Sequence, residues 1–577
     1  MYLRLRAILL LSAFAAASVS ASGVDFDACL VQVKTGKFGT DGGRDNKGKE
    51  VAIENATAIT YELCARACGS GSAPFVWQIF SQQFSAWLLP FLALVAQLPF
   101  GARDPFDNVV SVLLSVGSPT LAAYSLALTV LNGNWIARRF SRIAYPNVRY
   151  AIQILSRLQQ TPLQIISDNG LLASLVVLPE NDKWWSRLVH DLEYTHTWTI
   201  SSVASILWVS VAFLFTVIDS FTVTIESPTL NANGQGVGSV YLWLLPVVIG
   251  WLQLGPKCDS KRLRKAVDDA NHDLAFVATF TDPSHAHEVE YDFALSLKDH
   301  WGSVHRDEQC SPPIYNYARF LPWVQAVNEV YEVFEAAAEK AKNHKSVDSN
   351  AWRRSPGFGK IVPENRRGTR AQVEAYVRPQ QPKEKNSSRW GPDVFSRFVV
   401  ASVLALALTW STTGAAVIIV WFTPTRGLGC RSGAYLLYGA LSTVVWMLLV
   451  LSSGLAHYSD VPDGFNEYDE PIYGLASRVA AWLSIALRRL GKTIAAGNAV
   501  WIVAACIFQF VSFFDRCYCD SSVLGLGKLA YDVIVLVPGD ISEMKLAWGG
   551  AVALAGGCSV LFLGWVKMLV NPPLPPK

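Results

Sequence analysis

Six cysteines are the residues of this chain best suited to covalent chemistry, because each lies in a predicted loop or N-terminal segment. They are Cys29, Cys64, Cys68, Cys430, Cys517 and Cys519. Cysteines in an oxidising compartment form stable disulfides, and an even number permits complete pairing in several alternative connectivities. We predict disulfides that tie the N-terminal segment to the later loops. A metal site at Cys517-Tyr518-Cys519 is a weaker alternative, since no histidine lies nearby.

Two histidines in the sequence His285-Ala286-His287-Glu288 offer nitrogen ligands of the kind that transition metals bind. Their spacing matches neither the helical zinc-protease motif nor a zinc finger. We therefore predict at most a weak metal site, and solvent-exposed loop histidines are the alternative. The sequence contains no phosphate-binding loop, nucleophile elbow or dinucleotide fingerprint. It thus predicts no catalytic residue and no cofactor.

Asn55 is a candidate for glycosylation, because Asn55-Ala56-Thr57 is an acceptor sequence. Residues 1–22 have the composition of a signal peptide: two arginines, an apolar run and then small residues. We therefore expect residues 23–74 to form a small extracellular segment that contains disulfides. We also expect the protein to be a glycoprotein that reaches the plasma membrane through the secretory pathway.

Eight long apolar stretches separate these candidate sites. They cover approximately Phe75–Gly101, Asn108–Asn132, Thr199–Asp219, Val240–Gly255, Phe398–Phe422, Gly433–Gly454, Ala495–Phe514 and Leu546–Val570. A spanning helix needs about 20 mostly apolar residues, because hydrocarbon cannot hydrogen-bond the backbone. The composition agrees, with 51% hydrophobic and 16% charged residues. We predict an all-α membrane protein, a polytopic bundle of seven or eight transmembrane helices with membrane regions at 75–255 and 398–570.

Lysine and arginine residues set the expected orientation of this bundle. They flank the apolar stretches in segments 133–198, 256–397 and 455–494 and at the C-terminus, so the positive-inside rule makes these segments cytosolic. An outside N-terminus and an inside C-terminus require an odd number of crossings. We therefore favour seven, and expect Phe75–Gly101, with its four glutamines and two prolines, to be interfacial or re-entrant. The alternative keeps eight crossings and places the large basic loops outside.

The segment 256–397 is the best candidate for a partner-binding region. Helical spacing over about 320–342 places apolar side chains on one face and glutamates around the other. We predict that the apolar face of this helix docks on another part of the loop or on a cytosolic partner protein. The face consists of Trp323, Val327, Val330, Tyr331 and Phe334. The composition of residues 346–389 predicts a disordered linker, and residues 571–577 form a proline-rich tail.

The apolar stretches carry almost no ionisable side chains, which argues against proton-coupled transport and voltage sensing. Isolated polar residues such as Asn498 are expected to bond between helices, whereas Gly117 and Pro119 are expected to kink theirs. The net charge of +3 is spread over separate loops, so no nucleic-acid partner is predicted. The lipid bilayer is the expected surrounding.

Three functions fit this architecture. The favoured one is a membrane sensor or scaffold with a cytosolic interaction loop. A channel or facilitative transporter for a neutral solute is the alternative, because such a protein needs no charged spans. A membrane-embedded enzyme with a site assembled from distant residues is the least favoured.

The N-terminal part of the chain resembles a known group of proteins. The likeness is carried by Trp87–Leu94, Gln97–Gly101 and Gly117–Leu126, and it extends through Leu171–Leu175 and Leu178–Trp185. In these segments the chain resembles an uncharacterised family of multi-pass membrane proteins from filamentous fungi. The resemblance implies a fungal membrane protein and carries no known activity.

Overall fold

The computed structural model describes most of the chain. The described residues are 23–102, 104–193, 198–222, 228–280, 282–289, 292–298, 303–354, 361–378, 390–460, 464–465 and 471–575. The predicted signal peptide at 1–22 lies outside them. So do parts of the predicted linker, at 355–360 and 379–389, and the last two residues of the predicted tail.

The described chain is dominated by α-helices. They are α1 (Phe26–Lys34), α2 (Tyr61–Ala67), α3 (Trp77–Gln83), α4 (Leu89–Val95), α5 (Pro105–Gly117), α6 (Pro119–Phe140), α7 (Val148–Arg157), α8 (Leu171–Val177), α9 (Asp182–Asp191), α10 (Ile200–Thr222), α11 (Pro228–Tyr241), α12 (Leu244–Leu254), α13 (Ser260–Leu274), α14 (Ala286–Val289), α15 (Asn316–Lys342), α16 (Arg370–Val377), α17 (Val394–Trp421), α18 (Cys430–Asp460), α19 (Leu475–Phe510), α20 (Cys517–Asp520), α21 (Val523–Leu526) and α22 (Pro538–Leu569).

Short antiparallel strands join segments that are distant in the sequence. They are β1 (Gly43–Arg44), β2 (Ala58–Thr60), β3 (Leu163–Ile165), β4 (Phe276–Val277), β5 (Ser284–His285), β6 (Leu295–Leu297), β7 (Gly464–Phe465), β8 (Pro471–Ile472) and β9 (Tyr531–Val533). β2 lies between β1 and β9, and the other pairs are β3 with β6, β4 with β5 and β7 with β8.

Six helical segments are long and apolar enough to cross a membrane. They are Ile200–Ile218, Gly234–Leu254, α17, α18, α19 and α22. The pair α5 and α6 passes the same test together but is bent by 103° between its two members. The long helices expose apolar side chains such as Leu207, Val403 and Leu561. This architecture is consistent with a helical membrane protein.

The N-terminal segment 23–74 covers one end of the bundle, and we call it the cap. Its strand β2 pairs with β9, which precedes α22, so the cap and the bundle share a sheet. The disulfide Cys64–Cys517 joins the cap to the segment after α19. We call the end of the bundle that the cap covers the cap end.

Helices α7–α9 and α13–α16 form a second body at the opposite end, which we call the loop domain. His305 bonds to Asp460, the last residue of α18, and Asp307 bonds to Lys492 in the first half of α19. Because α18 begins and α19 ends at the cap end, these contacts place the loop domain at the far end of the bundle. Its central helix is α15, which packs against α6, α8, α16 and α18.

The apolar face predicted on α15 is the core of the loop domain. Trp323, Val327, Val330 and Phe334 are each at most 2% exposed, and the indole nitrogen of Trp323 donates to the carbonyl of Leu155 at 2.9 Å. The ring of Tyr331 packs edge-on against Phe140. The chain's own residues therefore fill most of this face.

Part of the predicted linker 346–389 is folded, in contrast to the expectation of disorder. α16 packs against α15 and α8, and Arg366 is buried. The Arg366 guanidinium donates to both carboxylate oxygens of Asp182, at 2.8 and 2.9 Å. A single paired arginine, together with buried Val373 and Tyr376, anchors this segment although its composition is polar.

Phe75–Gly101, the stretch expected to be interfacial or re-entrant, has contacts at both ends of the bundle. At the cap end the backbone N–H of Ala73 donates to the carbonyl of Asp515 at 2.9 Å. At the other end the Ser311 hydroxyl donates to the carbonyl of Gly101 at 2.8 Å. Gln83 is buried inside the bundle, and among the described residues its Oε1 atom has no hydrogen-bond partner.

The element that turns back is the pair α5–α6, which we call the hairpin. Its entry lies beside Gly101, whose N–H donates to the side chain of Asn108 at 3.2 Å. Its turn at Gly117-Ser118-Pro119 reaches Ser442, near the middle of α18. α6 then ends in the loop domain, where the Phe140 ring contacts Phe334. Both ends of the hairpin therefore lie at the end opposite the cap.

Candidate functional site

The hairpin tip is held by an unusually close backbone approach. A side chain at Gly117 would overlap the backbone carbonyl of Ala495 on α19, so only glycine fits there. Ser118 caps α6 by accepting a hydrogen bond from the N–H of Leu121 at 3.2 Å, and Pro119 occupies the first helical position. The local sequence therefore ends one helix and starts the next at a fixed point inside the bundle.

Fully buried hydroxyl groups connect the tip to two spanning helices. The Ser118 hydroxyl donates to the carbonyl of Ser442 at 2.8 Å. The Thr120 side-chain oxygen lies 2.9 Å from the Ser442 hydroxyl and 3.2 Å from that of Thr409 on α17. All four residues are 0% exposed. In a low-dielectric interior such bonds are costly to break, so the network fixes the tip relative to α17 and α18.

Asn498 adds the third helix, α19, to this site. Its side-chain amide donates to the carbonyls of Gly117 and Tyr438 at 2.8 and 3.1 Å, and the Tyr438 hydroxyl donates to the carbonyl of Val116 at 2.7 Å. Among the described residues, no hydrogen-bond partner is found for the buried Asn498 Oδ1 atom. Hydroxyl and amide groups neither gain nor lose a proton near neutral pH. The tip can therefore bind, orient or transmit movement, but its side chains offer no acid or base for catalysis.

The other half of α6 ties the hairpin to the loop domain. The Asn316 amide of α15 donates to the Thr129 hydroxyl at 2.6 Å. Arg397, at the start of α17, donates to Asn132 at 2.6 Å, and its guanidinium lies 4.0 Å from the centre of the Trp135 ring. α6 is thus one rigid rod with one end in the middle of the bundle and the other in the loop domain.

An ion-pair cluster clamps the loop domain to α19. Asp307 is buried, its Oδ1 lies 2.5 Å from Lys492 Nζ and 3.9 Å from Arg488 Nε, and it accepts from the Tyr317 hydroxyl. Arg488 also donates to the backbone carbonyl of Val304. A buried carboxylate is tolerated only when it is paired in this way, so the cluster requires both parts to be docked.

His305 forms a second contact of this kind. Its two ring nitrogens lie 2.6 Å from Glu308 and 2.8 Å from Asp460. Burial by itself would lower the pKa of His305, but the hydrogen bonds to Asp460 and Glu308 raise it to about 9. The imidazole is therefore protonated at neutral pH and serves as a cationic link between two carboxylates, not as a general base.

The cap end also carries an ion-pair cluster. Here one arginine pairs with two aspartates, whereas at the loop-domain end one aspartate pairs with two cations. Arg431, one residue into α18, pairs with Asp520 at 3.0 Å and with Asp515. Asp532 on β9 is buried nearby. Burial, followed by the charge of Asp520, raises the pKa of Asp532 well above its usual range against the effect of Arg431.

The structure brings all six candidate cysteines together. They form the disulfides Cys29–Cys68, Cys64–Cys517 and Cys430–Cys519. Among the described residues, the sulfur atoms of Cys64, Cys68 and Cys517 are the one group with three converging metal-type ligands, all within 4.8 Å of one another. Because these sulfurs are bonded in disulfides, they do not form a metal site. The glycosylation candidate Asn55 is exposed at the end of a short 3₁₀ turn in the cap.

The candidate metal ligands His285 and His287 lie in the loop domain, where His287 is exposed and His285 is half-buried. Their rings are 5.4 Å apart between centres, and His287 stacks on His272 at 4.4 Å. Within the part of the chain that the structure describes, they do not converge with a third ligand. This arrangement gives the weak metal hypothesis no further support.

The sequence predicted single features of the hairpin tip but not that they lie together. Gly117 and Pro119 indicated a kink and Asn498 an interhelical bond, but Ser442 and Thr120 carry no local signal. A Ser-Pro pair after a glycine inside an apolar stretch is the feature that marks a new helix start.

Comparison of the chain with protein-family models, with curated proteins and with solved structures gives no match.

Proposed function

We propose that the protein is an integral membrane sensor or scaffold in which the hairpin couples the cap to the loop domain. The supporting observation is that α6 belongs to both parts of the molecule. Its first turn is bonded to α17 and α18 inside the bundle, and its last turns pack in the loop domain. A packed rod of this kind transmits a shift of the spanning helices without needing a flexible linker.

The proposal includes a topology with seven crossings. Phe75–Gly101 and the six long helices cross the bilayer, and the hairpin enters from the loop-domain side and returns. The basic residues that flank the loop-domain ends of the helices favour a cytosolic loop domain and an extracellular cap. Delivery through the secretory pathway to the plasma membrane completes the proposal and is supported by the signal-peptide composition of residues 1–22.

In this proposal, a movement of the cap reaches α18 through Arg431. Its ion pairs with Asp515 and Asp520 bind the segment after α19 to the first turn of α18. Ser442 on the same helix holds the hairpin tip. A movement of the cap therefore displaces α18, and α18 displaces the hairpin.

Hydrogen–deuterium exchange on the full-length protein in nanodiscs tests this coupling. We expect Arg431→Gln to increase exchange in α6 and α15, far from the substitution, because the Cys430–Cys519 disulfide alone then joins the first turn of α18 to this segment and restrains the helix less. Arg426→Gln is the matched control, since its ion pair with Glu543 also lies at the cap end but joins the segment before α18 to α22 and is about half exposed. Ser442→Ala should loosen α6 and α15 while the cap stays protected. Changes confined to the cap and residues 511–537 in Arg431→Gln would contradict the proposal.

A facilitative transporter for a neutral solute is the second candidate, favoured by the uncharged polar groups of the hairpin tip in the middle of the bundle. One cavity lies beside the ion-pair cluster of Asp307, and another lies beside the hairpin. Each has a volume of about 10 Å³, which is room for about one water molecule. Transport would therefore require the hairpin to move. Uptake of small neutral solutes into proteoliposomes, abolished by Asn498→Leu, would support this candidate over the sensor.

A further inference from the structure

Helix α19 is longer than a bilayer is thick. Its 36 residues extend about 54 Å, against a hydrocarbon thickness of about 30 Å. Exposed apolar side chains nevertheless occur on one face of this helix from Leu475 to Val500, and we call this face the stripe. The stripe consists of Leu475 (80% exposed), Val479 (53%), Trp482 (71%), Leu490 (50%) and Val500 (64%). The lipid-facing surface of the span therefore continues into the part of α19 next to the loop domain.

The opposite face of this part of α19 is packed against α18. The hydroxyls of Ser484 and Ser452 exchange hydrogen bonds with the opposing carbonyls at 2.7 and 2.8 Å, and Gly491 contacts the Leu449 side chain. One residue away from Ser452, α18 exposes Leu451 at 55%. Lipid-facing side chains on two neighbouring helices thus reach the same level as Trp482.

Two arginines lie on or beside this stripe. Arg478 and Arg489 are both exposed, on either side of Trp482 along the helix. No ion pair of either side chain is found among the described residues. A guanidinium on a lipid-facing surface extends toward the headgroup layer and needs an anionic partner there. Tryptophan prefers the same layer.

We infer that this stripe is a binding site for an anionic phospholipid of the leaflet on the loop-domain side. The lipid phosphate pairs with Arg478 and Arg489, whose planar donor groups suit phosphate oxygens. Trp482 and Leu490 lie at the headgroup level beside the two arginines, and the acyl chains cover Val500. The inference rests on the membrane embedding of α19 and is independent of any sensor or transport role.

Native mass spectrometry of the full-length protein released from nanodiscs tests this site. The nanodiscs contain equal amounts of phosphatidylserine and phosphatidylcholine, and the measured quantity is the ratio of the two lipids retained. We expect the wild-type protein to be enriched in phosphatidylserine. In Arg478→Gln/Arg489→Gln the enrichment should fall about thirtyfold, because each of the two basic groups near the surface contributes on the order of 1 kcal/mol.

The control is Arg353→Gln/Arg354→Gln, which removes the same charge from exposed arginines of the loop domain and should leave the ratio unchanged. Each variant must elute and melt like the wild type. If the double variant does not fold, the single substitutions Arg478→Gln and Arg489→Gln carry the test, with a partial loss of enrichment expected from each. A wild-type ratio in the folded arginine variants, or an equal loss in the control, overturns the inference.

Discussion

His305 shows how a single side chain links two parts of this molecule and makes the link dependent on pH. Its pKa of about 9 lies above the ordinary value of 6.5. The link therefore contributes fully below pH 6.5 and is lost as the pH rises through 9. We expect His305→Gln to cost about 1–3 kcal/mol at pH 6, a range that allows for the exposure of Asp460. Melting temperatures of both proteins across this range should converge near pH 10, whereas a constant difference would contradict the assignment.

The adjacent disulfides of the cap lead to a second prediction at the residue scale. In Cys29→Ser, Cys68 becomes a free thiol within 4.8 Å of the sulfurs of Cys64 and Cys517. Its thiolate should attack one sulfur of the Cys64–Cys517 bond, form a new disulfide with it and release the other as a thiolate. Alkylation followed by peptide mass spectrometry should then find Cys68 in a disulfide with Cys64 or Cys517.

Cys430→Ser is the matched control for this exchange. It frees Cys519, which lies outside the group of three sulfurs, so the remaining two disulfides should keep their partners. An alkylated Cys68 beside an intact Cys64–Cys517 bond in Cys29→Ser would show that the exchange does not occur.

At the scale of elements, the hairpin depends on the close contact between α5 and α19. We expect Gly117→Ala to destabilise the protein by about 1–3 kcal/mol, because the new methyl group meets the backbone carbonyl of Ala495, which cannot move aside easily. Gly497→Ala on α19 is the control, since a methyl group there has no neighbour within 4 Å. Thermal unfolding in detergent should separate the two variants, and equal melting temperatures would mean that the tip is not tightly packed.

The same elements show what the sequence can and cannot predict. The spacing of Trp323, Val327 and Phe334 identified a helix and its buried face, because helical periodicity is local. What covers that face is α6, α7 and α8, which lie more than a hundred residues earlier in the chain. Phe75–Gly101 and Asn108–Asn132 illustrate the same limit. Apolar length is a local property, whereas crossing or returning is decided by contacts such as Ala73 with Asp515 and Thr120 with Thr409.

At the scale of the whole molecule, polar groups are arranged by depth. Charged clusters stand at the two ends, with Arg431 at the cap end and Asp307 at the loop-domain end. Uncharged hydroxyls and amides such as Ser442 and Asn498 occupy the middle. Neutral groups can satisfy one another in a dry interior, whereas isolated charges there are costly. This gradient is what a bundle embedded in a bilayer requires, and the cysteine pairs complete it at the cap end.

The topology makes the most discriminating prediction, because a hairpin and a true crossing place the ends of α5–α6 on the same or on opposite sides. We consider single cysteines at the exposed positions Lys37, Asp104 and Ser141. On intact cells, a membrane-impermeant maleimide should label Lys37→Cys only. After permeabilisation it should also label Asp104→Cys and Ser141→Cys, since both flank the hairpin on the loop-domain side. Labelling of Asp104→Cys and Ser141→Cys from opposite sides would make α5–α6 a crossing and remove the rod that joins the bundle to the loop domain.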